Sequence, residues 1–209
     1  MGMAYIFSML MVSVAAYFLG SVPFGLVIAQ KFCGTDPRLA GSGNVGATNV
    51  ARLCGFKWGV LTLLCDLLKG FLPVLLFAAS DSNLHGLAYP AGLAVIVGHM
   101  FSFFLHFKGG KGVATTVGVF LALAPVQLIL AGIVCILVIW RSGYVSAGSL
   151  TLISLLPALL LLSARWADLL FALIAAGLVI YAHRENIRRL LRGEEKPWLS
   201  PKGGNDGVV

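Results

Sequence analysis

The chain has 209 residues, 59% of them hydrophobic and only 11% charged, with a mean hydropathy of +0.94. That composition excludes a soluble globular domain and predicts one compact membrane domain rather than a soluble core with an anchor. A formal charge of +7 would suit a nucleic-acid binder, but the cations gather at the edges of apolar runs, so positive-inside bias accounts for them and no nucleic-acid partner is expected.

Apolar runs cover Met3–Gln30, Phe56–Ala79, Leu87–His106, Val113–Trp140, Tyr144–Leu162 and Trp166–Ala182. About 20 apolar residues suffice to cross a bilayer core. The first run has no basic residues before it and is too long for a secretory leader, so it reads as a transmembrane helix. Between the runs, the basic residues fall mostly in three segments, Arg38–Arg52, Lys108–Gly112 and Arg184–Lys196. The fourth run carries Ala124-Pro125 at its middle. Proline removes a backbone donor and disfavours helix at the residue before it, so this run is either one kinked span or two short helices, Val113–Leu123 and Val126–Trp140.

Charge parity decides between them. One crossing gives six spans and puts the Arg184–Lys196 segment opposite the other two basic loops. Two crossings give seven transmembrane helices with the N-terminus outside and the C-terminus cytoplasmic. All three basic segments then share the cytoplasmic face, and the outer loops keep only Asp81, Arg165 and Asp168 as charges. The expected fold is therefore an all-α integral membrane protein of seven spans. Residues 1–193 form the membrane domain, and 194–209, ending in Lys202–Gly207, form a flexible cytoplasmic tail. Trp58, Trp140 and Trp166 fall beside predicted span ends, where indole rings prefer the interface. Cys33, Cys54, Cys65 and Cys135 form no C-x-x-C pair and read as reduced, structural thiols, with no metal site.

The loops carry the chemistry. Gly41-Ser-Gly-Asn-Val-Gly-Ala-Thr-Asn49, followed by Arg52, matches G-x-G-x-x-G but lacks the strand and βαβ unit that a dinucleotide site needs. Its glycines still allow backbone N–H groups to turn toward an anion, with Ser42, Asn44 and Thr48 adding donors. Phe107-Lys-Gly-Gly-Lys-Gly-Val-Ala-Thr115 opens into a helix. Leu105 stands where a P-loop would have its first glycine, so nucleotide triphosphate binding is excluded, yet two lysines and three glycines at a helix N-terminus make a phosphate cradle. In His183-Arg-Glu-Asn186, the His and Asn sit three apart and share a helix face, while Arg188, Arg189 and Arg192 read as lipid-headgroup contacts. Asp66 and Lys69, also three apart but inside a span, form either a structural ion pair or part of a cavity wall. His99 lies inside a span and fits either a core hydrogen bond or a site role.

Taken together, the stretches Gly41–Arg52, Asp66–Gly70, Gly98–Thr115 and His183–Leu191 resemble the acyl-phosphate:glycerol-3-phosphate acyltransferase family of bacterial membrane enzymes. The resemblance runs almost end to end in the family's order. It implies seven helices, N-terminus out, in the cytoplasmic (inner) membrane, with the site facing the cytoplasm. It implies transfer of a fatty acyl group from acyl phosphate to the 1-hydroxyl of glycerol 3-phosphate, giving lysophosphatidic acid and phosphate without a cofactor. The partners it implies are both substrates, membrane lipid and the enzyme that supplies acyl phosphate.

Such a reaction needs two anion cradles on one face and a lipid-accessible groove. An activated mixed anhydride leaves proximity and charge stabilisation to the protein. On that resemblance, Ser42, Gly43, Asn44, Thr48, Gly109, Gly110, Lys111 and Gly112 hold the acyl phosphate headgroup. Arg52, Lys111, Ser149, His183 and Asn186 hold glycerol 3-phosphate, with Ser146 an alternative to Ser149. Lys111, His183, Asn186 and Ser42 are the catalytic candidates. His183 is the side chain of the right type for a general base, and a substrate phosphate oxygen is the alternative acceptor. No base stands at helical spacing from Ser42, so direct transfer is preferred over an acyl-enzyme.

Competing readings fit less well. Acyltransferases that use acyl-CoA or acyl carrier protein carry His-x₄-Asp. Here Pro90, Phe104, Lys111 and Arg188 stand five residues beyond His85, His99, His106 and His183. Asp66 alone cannot supply the carboxylate-rich metal site of a CDP-alcohol phosphotransferase. An organic-phosphate transporter would need cationic mouths on both sides, and the three basic segments lie on one, with Arg165 alone in the outer loops.

Overall fold

The computed structural model describes residues 2–80 and 82–198, all helix or connecting loop. Asp81 and the tail stretch Lys202–Gly207 lie outside the described residues. In chain order the helices are α1 (Met3–Ser21), α2 (Phe24–Cys33), α3 (Ala47–Cys54), α4 (Phe56–Ala78), α5 (Ser82–His85) and α6 (Ala88–Met100). A 3₁₀ turn at Phe103–Leu105 precedes α7 (Val113–Leu123), α8 (Pro125–Ser142), α9 (Val145–Leu162), α10 (Trp166–Ala182) and α11 (Arg184–Leu191).

Among the described residues, five stretches are long and apolar enough to cross a membrane: Met3–Cys33, Phe56–Ala78, Ala88–Leu105, Pro125–Ser142 and Val145–Leu162. The α10–α11 pair, bent by 62°, makes a sixth. The expected split of the fourth run is present, with a changed balance. Ala124 leaves the helix at φ −145 and ψ 63, and Pro125 then starts α8 at its first position, where its fixed φ suits a helix and its missing donor is not needed. Of the two halves only α7 is short, at 11 residues, because α8 runs on to Ser142 and spans 18. A second break was not expected. Val22-Pro23 interrupts the first run between α1 and α2, since Pro23 cannot donate back to the preceding turn. The third run ends as α-helix at Met100 rather than at His106.

Two pairs of helices approach closely through glycines placed reciprocally on both partners. A Cβ on Gly20 of α1 would overlap the Val95 carbonyl of α6, and one on Gly98 of α6 would overlap the Tyr17 carbonyl of α1. The same reciprocal arrangement joins α4 to α7, through Gly70 against Thr115 and Gly118 against Leu67. Small residues let backbones meet where lipid offers no hydrophobic drive between helices. Around these contacts, Val95, Ile96, Val119, Phe120, Leu156 and Phe171 form the buried centre. By contrast, α8 buries only Leu128 and Ala131, and leaves Ile129, Ile133 and Ile136 exposed, as a lipid-facing helix should. Trp140 and Trp166 are also largely exposed.

Cys33 and Cys54 lie side by side with their sulfurs in contact, whereas Cys65 and Cys135 stand apart as free thiols. The spacing of the four cysteines suggests no such pair. Cys33 and Cys54 lie 21 residues apart in sequence but have Cα atoms 5.7 Å apart, because the loop from α2 to α3 folds back. That proximity is invisible in their spacing.

Candidate active site

The loop before α3 is organised by Asn49, which is only 2% exposed. Its amide Nδ2 donates to the carbonyls of Pro37, Ala40 and Asn44, and its Oδ1 accepts from the Ser42 N–H at 2.9 Å. Asn44 Oδ1 accepts from the Gly46 N–H at 2.8 Å, closing a local turn of the kind Asn favours. Gly41 has φ +64, and a Cβ there would overlap Asn49 Oδ1. The loop thus delivers the chain into α3 with no side chain capping its N-terminus. The first N–H groups of α3 remain open to an anion.

The second loop arrives by a different route. Gly109 and Gly110 donate their N–H groups to the carbonyls of Met100 and His99, at 2.9 and 3.0 Å. Both glycines were expected to bind phosphate through the backbone, but those donors are committed to holding the loop. The open donors lie beyond, where α7 begins after Gly112 with no side-chain cap. The termini of α3 and α7 line one cavity of about 350 Å³, together with Lys111.

Ser42, Asn44, Thr48, Arg52, Gly112, Ser149, His183 and Asn186 also line that cavity, whereas Gly43, Gly109 and Gly110 do not. Ser42 is exposed, and among the described residues its hydroxyl has no hydrogen-bonded base. Arg52 lies one turn beyond Thr48 on α3, and its guanidinium donates to the Lys196 carbonyl at 3.1 Å. Lys111 Nζ donates to Asn186 Oδ1 at 2.6 Å. Burial, with Arg189 and Arg52 nearby, pulls the Lys111 ammonium down to about 8 despite Glu195.

His183 ends α10 at the 62° bend and is 2% exposed. Its Nδ1 lies 2.8 Å from the Val179 carbonyl. A carbonyl can only accept, so Nδ1 carries the proton and Nε2 keeps its lone pair. Burial holds this imidazole down at about 4, so it is neutral at physiological pH.

Three residues had no role, or a different one, in the sequence reading. Asn49 is the hub of the first loop. Arg189, expected at lipid headgroups, turns inward and pairs with Glu195 at 2.7 Å. Glu195, expected in a frayed tail, accepts from Ser146 Oγ and from Asn186 Nδ2, each at 2.6 Å. Residues 194–198 lie across the site because Glu195 finds three donors there and the Trp198 N–H meets the Gly143 carbonyl. No spacing rule joins position 195 to position 146. Ser146 is therefore committed to Glu195, while Ser149, one turn on, is buried at the cavity wall with no partner among the described residues.

Asp66, Lys69 and His99 form a buried cluster beside the same cavity. Lys69 Nζ lies 2.7 Å from Asp66 Oδ1 and donates to the Val22 carbonyl freed at the helix break, at 3.0 Å. His99 Nδ1 stands 3.6 Å from Asp66.

A cavity ringed by two helix N-termini, a lysine and a neutral histidine has the makings of a phosphate-ester site, and comparison with known proteins agrees. The family model for glycerol-3-phosphate acyltransferase matches residues 10–193. The chain belongs to that family. Glycerol-3-phosphate acyltransferase of Nitratidesulfovibrio vulgaris is 61% identical over 88% of this chain, which spans 56% of that relative's length. The Desulfovibrio desulfuricans enzyme is 55% identical over 90% of the chain and 83% of its own length. Among solved structures, the fold resembles PlsY (YgiH), an integral membrane glycerol 3-phosphate acyltransferase, in its glycerol 3-phosphate form. The TM-score is 0.86 at 43% identity, covering 91% of this chain and 95% of that one. The lysophosphatidic acid form of PlsY matches with a TM-score of 0.84. These likenesses support a multi-pass membrane acyltransferase and give no support to a transporter.

Proposed function

We propose that this family member transfers a fatty acyl group from acyl phosphate to the 1-hydroxyl of glycerol 3-phosphate, at a cytoplasmic site in a seven-span, N-terminus-out bundle. The seven spans are α1 with α2, α4, α6, α7, α8, α9 and α10. The observation that carries the reading is the meeting of two uncapped helix N-termini and Lys111 on one cavity. Two phosphates must be held at once: the two helix termini offer directed N–H groups to one of them, and the cationic and polar side chains of the same cavity are left for the other.

The α3 terminus, with Ser42, Asn44 and Thr48, takes the acyl phosphate headgroup. Gly43, Gly109 and Gly110 shape the loops, and the α7 terminus after Gly112 adds its N–H groups. Glycerol 3-phosphate lies between Arg52, Lys111, Ser149, His183 and Asn186. The hydroxyl oxygen attacks the acyl carbonyl, the acyl C–O bond to phosphate breaks, and phosphate leaves with the electron pair. Lys111 offsets the charge that develops on that leaving group. His183 Nε2 accepts a hydrogen bond from the attacking hydroxyl and aims it. An imidazole held near 4 is a weaker base than a phosphate monoester dianion, whose conjugate acid titrates at about 6. The proton therefore goes to a substrate phosphate oxygen, and no acyl-enzyme forms on Ser42. A protein that makes acyl phosphate at the same membrane face is the expected supplier.

Lysophosphatidic acid formation by purified protein, with synthetic acyl phosphate and with acyl-CoA in parallel, tests the donor. Product from acyl phosphate alone is expected, and product from acyl-CoA alone would overturn the reading. Accessibility labelling of cysteines placed at 111 and 186 tests the topology. Labelling from opposite aqueous compartments would end it.

A further inference from the structure

Glu195 sits where a chain of polar contacts can be read in only one direction. Its side chain is 8% exposed, and an ionised carboxylate only accepts hydrogen bonds. At the other end of the chain, the Lys111 ammonium only donates. Asn186 stands between them, with Nδ2 toward Glu195 Oε1 at 2.6 Å and Oδ1 toward Lys111 Nζ at 2.6 Å. An amide facing an acceptor on one side and a donor on the other has one permitted orientation. Ser146 Oγ and Arg189 Nε fix the carboxylate itself, at 2.6 and 2.7 Å.

We propose that Glu195 is a positioning residue of this site: its carboxylate fixes the Asn186 amide so that the amide oxygen holds the Lys111 ammonium at the cavity. The proposal rests on the reading of Lys111 as the cation for substrate phosphate. Remove the carboxylate, and the amide is free to turn its NH₂ toward Lys111, where donor would face donor. Glu195 also acts through its charge. Lys111 faces Arg52 on α3, Arg189 on α11, His183 at the bend, and Glu195 and Lys196 after α11; Asp66 and His99 stand farther along the same cavity. Of the groups with a resolved influence on Lys111, Glu195 favours the charged ammonium, whereas Arg189 and Arg52 oppose it.

Glycerol 3-phosphate affinity of the full-length chain, measured by titration calorimetry from pH 7 to pH 10, reads this out without turnover. In the wild type, affinity falls as Lys111 loses its proton. Glu195→Gln is expected to move that fall to lower pH by about half a unit or more, and Glu195→Asp to hold it near the wild-type position. Arg189→Met removes an opposing cation and leaves the carboxylate without its ion pair, so it is expected to move the fall to higher pH. Shifts of opposite sign in the Glu195→Gln and Arg189→Met proteins support the proposal. A Glu195→Gln protein whose fall stays in place, or two shifts of the same sign, overturns it. If Glu195→Gln unfolds, Ser146→Ala, which loosens the carboxylate without changing any charge, decides in its place: a fall moved to lower pH supports the proposal, and a fall that stays in place overturns it. Lys111→Arg stays charged throughout and is expected to abolish the fall. A fall that persists in that protein sinks the underlying reading of Lys111 instead.

Discussion

Two lysines are withdrawn from water in this molecule, and their surroundings differ in one respect. Lys69 has a carboxylate at 2.7 Å and a helix-break carbonyl at 3.0 Å. Lys111 has only an amide oxygen at 2.6 Å, because the nearby carboxylate of Glu195 is paired with Arg189. The first cation is neutralised by the fold. The second has no carboxylate within ion-pair distance among the described residues, and its ammonium is pulled down to about 8. A buried charge without a counter-ion is costly, and on the proposed function a substrate dianion would supply what is missing. Placed side by side, the two sites separate a cation paired within the bundle from one left without a carboxylate at a cavity, which the proposed function gives to substrate phosphate.

Breaking the structural pair should have the largest effect. Asp66→Asn strands the Lys69 ammonium inside the bundle, and removing one partner of a buried pair costs roughly 3–5 kcal/mol. Thermal melting in detergent should fall sharply, and a wild-type melt would show that the pair is not structural. Lys111→Ala should do the reverse. It is expected to melt like the wild type while losing about a hundredfold in turnover, roughly 2.7 kcal/mol of transition-state stabilisation. Near-normal turnover would remove Lys111 from the site.

A smaller loss is expected of His183→Ala. If Nε2 only aims the hydroxyl, kcat should drop about tenfold, and full kcat would leave the histidine without a part in the reaction. The mildest test changes no residue. The kcat/KM for glycerol 3-phosphate should fall as pH rises through about 8, since Lys111 is then losing its proton in the free protein. The bound dianion favours the ammonium, so the corresponding fall in kcat should appear at higher pH. No acidic fall between pH 5 and pH 7 should belong to His183, which burial holds at about 4.

The legible parts of this molecule were those where one residue type settles one local question. Pro125 announced the α7–α8 break because its ring excludes the preceding turn, and the glycine-rich stretches marked two loops that lead into helix N-termini on one cavity. Helix spacing put His183 and Asn186 on the same site, and both line one cavity. What the spacing could not carry was anything decided by contacts distant in sequence. Asn49 reads as one polar residue among several until its four loop partners are seen. Cys33 and Cys54 meet only because the intervening loop doubles back. Gly109 and Gly110 looked like phosphate donors because their own partners, Met100 and His99, come from the end of the preceding helix. Pro23 was passed over within a run whose hydropathy is continuous, although it breaks the helix by the same physics as Pro125.

The joint between α10 and α11 turns through 62°, with His183 at the corner and Asn186 one step along the shorter arm. Any flexing there swings the amide while the imidazole stays with the longer arm. On the proposed mechanism the rigidity of that elbow becomes a kinetic quantity, since a softer corner would blur the aim of the hydroxyl between the two side chains.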